Sequence, residues 1–170
     1  MALLGIDVGT GGTRALIIDE NGRLLGAATA EHVAFASPQP GWSEQDPRDW
    51  WQAASQAIAG ALARATLKAD AITGIGFSGQ MHGAVLLDDH DEVVRPALLW
   101  NDQRTAPQCE AITRKIGQDR LIEWVSNPAL TGFTAPKLLW VREQEPAHWA
   151  RVPPVPTSMP SNAMMVGARC

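Results

Sequence analysis

Residues 2 to 33 hold three short apolar runs divided by turn chemistry, and few folds accept that pattern. "LLGI" leads into "DVGTGGTR" (7 to 14), that into "ALIID", and "DENGR" then opens a third run. Each run is of strand length. Asn21-Gly22 is a strong hairpin signal, since both residues tolerate φ > 0. Strands are therefore expected over 2–8, 13–19 and 24–33, as an antiparallel meander. The first turn asks for more explanation than the second. It sets Gly9, Gly11 and Gly12 among Thr10 and Thr13, with Asp7 before them and Arg14 after.

The polar, proline-broken stretch "SPQPGWSEQDPRDWW" (37 to 51) ends at a helix start. Asp46 suits the N-cap, Pro47 the first helical position and Asp49 the first turn. That helix is expected to run to about Ala65, with Trp50, Ala54, Ile58, Ala61, Leu62 and Ala65 on one face. "AITGIGFSG" (71 to 79) reads as a buried strand and "GAVLLD" (83 to 88) as the next. "VVRPALLW" (93 to 100) is extended again after the "DDHDE" turn. Helical text follows over about 104–116, stopped by Gly117, over 118–125, and from a Thr134 cap to Pro146. The tryptophans at 50, 51, 124, 140 and 149 stand in helical settings and are expected in the core. The order is βββαβ, two more strands, then helices: an α/β chain with a mixed sheet and flanking helices. Pro153, Pro154, Pro156 and Pro160 deny the last stretch any regular period. One domain is expected over 1–151, and an extended, disordered or foreign tail over 152–170.

Composition removes several function classes. The chain has 170 residues, 45% of them apolar, and a net charge of −4. It shows no Lys/Arg stripe for a nucleic-acid partner. No run approaches the roughly 20 apolar residues of a membrane span, and the opening run breaks at Asp7, too early for a signal peptide. Cys109 and Cys170 do not make a disulfide framework. A cytoplasmic protein is expected.

Three stretches carry candidate chemistry. The glycine turn is not a P-loop, because no Lys follows and the next element is a strand. A hairpin can still hold phosphate. Gly9, Gly11 and Gly12 let the backbone turn sharply and leave N–H groups uncovered. Thr10 and Thr13 add hydroxyls, Arg14 adds a cation, and Asp7 can hold Mg²⁺ through water. The competing reading is a glycine-rich hairpin with a surface acid. In "FSGQMHGAVLLD" (77 to 88), Gln80, Met81 and His82 stand between two strands, and strand ends facing one sheet edge are where small ligands bind. Gln and His each donate and accept, which suits a polyhydroxylated ligand. The competing reading is a bulged turn with a structural imidazole. In "LLWNDQR" (98 to 104), Trp100 offers a flat apolar face, while Asn101, Asp102 and Arg104 offer polar contacts. Alternatively, Asp102 caps a helix and Trp100 is core.

Taken in order, "GIDVGTGGTR", "GWSEQDPRDWW", "GIGFSGQMHGAVLLD", "RPALLWNDQR" and "GFTAPKLLWVREQEP" resemble the FGGY family of carbohydrate kinases over about residues 2–150. "SGQMHG" with "WNDQR" points to the branch acting on D-xylulose rather than glycerol. The resemblance implies a ribonuclease H-like, actin-like ATPase fold, with two such domains around a cleft and this chain as the first. It implies transfer of the ATP γ-phosphate to the 5-hydroxyl of D-xylulose. Asp7 then serves Mg²⁺, and Thr10, Gly11, Gly12 and Thr13, with Arg14 beside them, line the ATP phosphates. Gln80, Met81 and His82, with Trp100, Asn101 and Asp102 nearby, meet the sugar. Family members are far longer, with the catalytic Asp and the adenine pocket in a second half that has no counterpart here. The expectation is an N-terminal kinase fragment, inactive alone, with a homodimer burying its exposed interdomain face. The alternative is a non-catalytic sugar- or nucleotide-binding module.

Overall fold

The opening runs form β1 (Ala2–Val8), β2 (Gly12–Asp19) and β3 (Leu24–Glu31) in a computed structural model that describes residues 1–153. β1 and β2 pair antiparallel from Ala2↔Asp19 to Val8↔Thr13, and β2 pairs likewise with β3. The second turn follows its sequence chemistry. Gly22 has φ +79°, and Asp19 Oδ1 accepts the N–H groups of Asn21 and Arg23. A short β4 (Glu44–Gln45) precedes the long helix α1 (Pro47–Ala65), and β5 (Ile72–Gly79) returns parallel to β1. The sheet order is β3-β2-β1-β5, which completes the βββαβ start.

Contacts divide the chain into two compact units, one of Met1–Phe35 with Pro47–Met81, the other of Ala36–Asp46 with the residues from His82 onward. In the first, α1 lies on the sheet through Ala57 and Ala61, against Leu4, Ile6, Ala15, Ile17 and Ala28. Its buried line is Ala53, Ala57 and Ala61, which shares Ala61 with the face read off the sequence but is otherwise shifted by one residue, about 100° round the helix. Close approach explains the difference. A Cβ on Gly26 would stand 2.6 Å from the Ala61 carbonyl, and one on Gly60 would stand 2.8 Å from Ala28 Cβ. Only small side chains fit such a contact. Trp50, Ala54, Ile58 and Leu62 fall to the flank, where they line an apolar slot with Ile75 and Phe77. Trp51 is 77% exposed, so the expectation of a core position is corrected.

In the second unit, β4 pairs antiparallel with β6 (Ala97–Leu98). The strand expected over 83–88 makes only the isolated bridges Ala84↔Leu98 and Leu87↔Val93, and the run over 93–100 forms a ladder at Ala97–Leu98 alone. Pro96 has no N–H to give a ladder, and Asp88 Oδ1 accepts the N–H groups of His90 and Glu92 to close a tight turn. Then come α2 (Ala106–Ile116), α3 (Gln118–Val125), α4 (Thr134–Gln144) and α5 (Pro146–Trp149). The core gathers Ala84, Leu86, Val94, Leu98, Trp140 and Val141, with Trp42 against it. Trp124 is 63% exposed, a second correction to the expected core tryptophans. Thr134 is the first residue of α4 rather than its cap. Phe133 holds the cap position, and the Thr134 hydroxyl donates to the His82 carbonyl instead.

A buried ionic lattice braces this unit. The Arg104 guanidinium lies 3.6 Å from the Trp42 ring centroid and pairs with Glu44 and Asp102. Arg95 pairs with Glu44 and Glu145. Ions taken out of water this far are tolerated only when opposed charges and π faces replace the lost hydration. The tail expected over 152–170 lies, from residue 154, outside the described residues.

Candidate functional site

In the first unit the glycine hairpin sits at one end of the sheet. Asp7 is the penultimate residue of β1, Arg14 is its cross-strand partner on β2, and Ser78 is its partner on β5. Alternation along the strands places these side chains on the face away from α1. They rim a concavity of about 310 Å³ that includes Gly5 and Gly76. Asp7 and Arg14 are both exposed. An exposed carboxylate beside a hydroxyl is the hard-oxygen donor set that a hydrated Mg²⁺ accepts.

The turn closes with the Gly9 N–H donating to the Gly12 carbonyl at 3.0 Å. None of Gly9, Gly11 and Gly12 has a positive φ. Space, not a left-handed backbone, demands glycine at 12, where a Cβ would come 2.8 Å from the Ala30 carbonyl of β3. At Gly11 a Cβ would meet nothing within 4 Å, so the tip of the hairpin stands open.

Two side chains hold this loop from outside it. The Thr10 hydroxyl donates to Gln80 Oε1 at 3.0 Å, the Gln80 backbone N–H reaches the Val8 carbonyl at 2.8 Å, and Gln80 Nε2 lies 3.4 Å from the Gly9 carbonyl. Gln80, read from the sequence with the sugar group, thus stands against the glycine turn. His32 was not singled out by sequence reasoning. Its backbone N–H donates to the Gly11 carbonyl at 3.0 Å, Nδ1 lies 3.4 Å from the Thr10 carbonyl, and Nε2 lies 2.8 Å from Thr13 Oγ1. A carbonyl only accepts, so the neutral ring that meets both side-chain contacts carries its proton on Nδ1 and accepts from the Thr13 hydroxyl. Thr13 is wholly buried. Its hydroxyl faces His32, not the open tip. The signal that could have found His32 is strand register, because the Gly12↔Glu31 pairing sets the next residue of β3's chain beside the turn.

Met81 closes the first unit and is exposed. In the second unit His82 is exposed and sits at φ +64°, a left-handed conformation costing a non-glycine residue roughly 1–2 kcal/mol. Its ring centroid is 4.7 Å from that of Phe133. Both line an apolar hollow of about 290 Å³ between α2, α3 and the start of α4. Trp100 is 51% exposed, which favours a surface role over a core one. Asn101 Oδ1 is buried without a protein hydrogen-bond partner. Asp102 differs from its neighbours. It is wholly buried, accepts the Ser43 N–H at 2.7 Å and is bracketed by the Arg104 guanidinium and N–H. It shows no open carboxylate to a sugar, and it does not cap α2, whose cap position is Thr105.

Lys137 on α4 is also wholly buried and donates to the His82 and Gly132 carbonyls. Desolvation pulls its ammonium down to about 8, with Asp102 opposing that shift and Arg104 adding to it.

A meander, a helix and a parallel return strand, with an exposed acid beside a tight glycine hairpin, define the ribonuclease H-like, actin-like ATPase fold. The N-terminal domain of the FGGY family of carbohydrate kinases matches residues 2–165, and the chain belongs to that family. It is 45% identical over 150 residues to the xylulose kinase of Lactococcus lactis subsp. lactis (strain IL1403), covering 88% of this chain and 30% of that one. It is 44% identical over 144 residues to the xylulose kinase of Bacillus subtilis (strain 168), covering 85% and 28%. A crystal structure of a xyloylose kinase from Brucella ovis matches at a TM-score of 0.82 and 44% identity, over 89% of this chain and 31% of that one. The chain spans about 30% of the length of the curated relatives it matches. Among the described residues, no helix is long and apolar enough to cross a membrane.

Proposed function

We propose that this chain supplies the phosphate hairpin and part of the sugar site of an ATP-dependent kinase that phosphorylates a ketopentose, D-xylulose first among candidates. In the first unit, Asp7 takes Mg²⁺ through water, and Thr10, Gly11, Gly12 and Arg14 face the nucleotide phosphates. When bound, the metal supplies charge neutralisation on the phosphoryl oxygens. Thr13 acts from behind the loop through His32, and Gln80 acts through Thr10. In the second unit His82, Trp100 and Asn101 meet the sugar, with Met81 preceding them and Asp102 holding their segment from inside. The observation that carries this reading is the buried, unpartnered Oδ1 of Asn101 next to the half-exposed Trp100. An acceptor short of a donor beside a flat apolar face suits a hydroxyl and the C–H side of one sugar ring or chain. The xylulose kinases among the relatives support the choice of ketose.

Within 7–14, Asp7 is the one carboxylate. A single carboxylate does not both serve the metal and take the proton of the attacking hydroxyl. Binding without turnover is the expected behaviour of this chain by itself. The test pairs a calorimetric D-xylulose titration with a coupled ATP-to-ADP assay in Mg²⁺, beside Asp7→Ala and His82→Ala. Expected are measurable binding that weakens roughly tenfold in His82→Ala and no xylulose-dependent ADP release above Asp7→Ala. Turnover that disappears in Asp7→Ala would show that a base is available to the chain. Failure to bind the sugar would remove the assignment of His82, Trp100 and Asn101.

A further inference from the structure

Lys137 is a charged side chain for which the site as described has no use, and a lysine seldom gives up all its hydration without dedicated acceptors. Its Nζ donates to the His82 carbonyl at 2.8 Å and the Gly132 carbonyl at 2.6 Å. The His82 carbonyl also accepts from the Thr134 hydroxyl at 3.3 Å. Thr134 and Lys137 are three residues apart on α4, so one helix face brings both donors to one carbonyl. That carbonyl belongs to the residue held at φ +64°. The second acceptor, Gly132, lies against the Trp100 segment, where a Cβ would stand 2.8 Å from the Trp100 carbonyl. One ammonium therefore ties the turn carrying His82 to the loop abutting Trp100.

We propose that Lys137 is the positioning residue of the sugar site, holding His82 in its left-handed conformation and seating the Trp100 segment through Gly132. The proposal rests on the reading of His82 and Trp100 as sugar contacts. A strained residue persists only where its surroundings over-determine it, and here two donors converge on its carbonyl. If φ relaxed to an extended value, the peptide plane would rotate and that carbonyl would leave both donors. A lysine amine keeps two N–H groups after losing a proton, so both contacts survive deprotonation. The lock is geometric, with no role as a pH switch.

Lys137→Met preserves the length of the stem and removes the donors. In the ¹⁵N-labelled full chain, the amide shift and the HN–Hα coupling of His82 report its φ, with the resonance assigned by its loss in His82→Ala. Thermal unfolding reports the fold, and D-xylulose calorimetry reports the site. A cooperatively melting Lys137→Met chain is expected to show a displaced His82 resonance and a roughly tenfold loss of D-xylulose affinity, about one charge-assisted hydrogen bond. A folded variant with the His82 signals unmoved overturns the proposal. Displacement of His82, with no D-xylulose binding even in the unsubstituted chain, leaves the lock standing and removes the sugar reading. Should Lys137→Met not fold, His82→Gly is added, because glycine takes this φ at no steric cost. Recovery of a cooperative melt then supports the proposal, and continued failure to fold overturns it.

Discussion

At the scale of single residues, partners separate the binding candidates from those that hold the scaffold. Asp7, Arg14, His82 and Trp100 present accessible side chains, whereas Thr13, Asp102 and Lys137 are wholly enclosed. The enclosed three act through others: Thr13 through His32, Asp102 through Ser43 and Arg104, Lys137 through two carbonyls. Lys137 also leaves a thermodynamic signature. With its ammonium held at about 8 against an ordinary 10.5, the unfolded chain binds that proton more readily than the folded one. Below about pH 8 both states are protonated and folding bears the full cost of burying the charge. As pH rises from about 8 towards 10.5 the folded state loses the proton first, so the free energy of unfolding rises. Urea unfolding from pH 7 to 10 is expected to show this rise as a difference between the chain and Lys137→Met. Parallel pH profiles for the two would place the ionisation of Lys137 elsewhere.

At the scale of elements, small residues decide where α1 lies. Its Ala53, Ala57 and Ala61 line and the glycines at 26 and 60 bring helix and strand backbones together. Larger side chains would have set the helix further out and turned its tryptophan flank inward. Gly26→Val is the sharpest probe, because its Cβ would meet two backbone atoms of α1 at 2.6 Å and neither can yield alone. The expected loss is about 1–3 kcal/mol, the usual cost of overpacking, measured as a lower urea midpoint with little change in slope. Gly11→Ala is the matching control. It meets open space, and its midpoint should stay near that of the unsubstituted chain. The same contrast shows why the hairpin glycines are not equivalent, although they look alike in the sequence.

At the scale of the whole molecule, β5 has a paired neighbour on one side only among the described residues. Ile75 and Phe77, which project from it, are 57% and 77% exposed, beside a slot walled by Trp50, Ile58 and Leu62. Unpaired sheet edges with an apolar flank are prone to self-association. Sedimentation velocity is expected to show mass rising with concentration, and Phe77→Lys is expected to suppress that rise. A single species of monomer mass, 18.3 kDa, over the whole concentration range would remove the dimer from consideration.

Much of the molecule was legible in order. The meander followed from apolar runs and turn chemistry, α1 from its Pro47 start, and α2 from the glycine that stops it. These signals are local: a turn residue or a helix stop acts on its own few neighbours. The strands after Gly83 were overread because alternation does not show that a partner lies in register, and Pro96 withholds a needed donor. Five ordered motifs were enough to reach the family, because each reflects backbone and side-chain needs at one place. Tertiary structure alone decided that Thr13 and Asp102 face inward and that His32 holds the glycine turn. It also decided that Lys137 reaches His82 across 55 positions of sequence. The physical reason is that burial and hydrogen-bond partnership belong to pairs of residues distant in the chain, and only the folded backbone brings those pairs within reach.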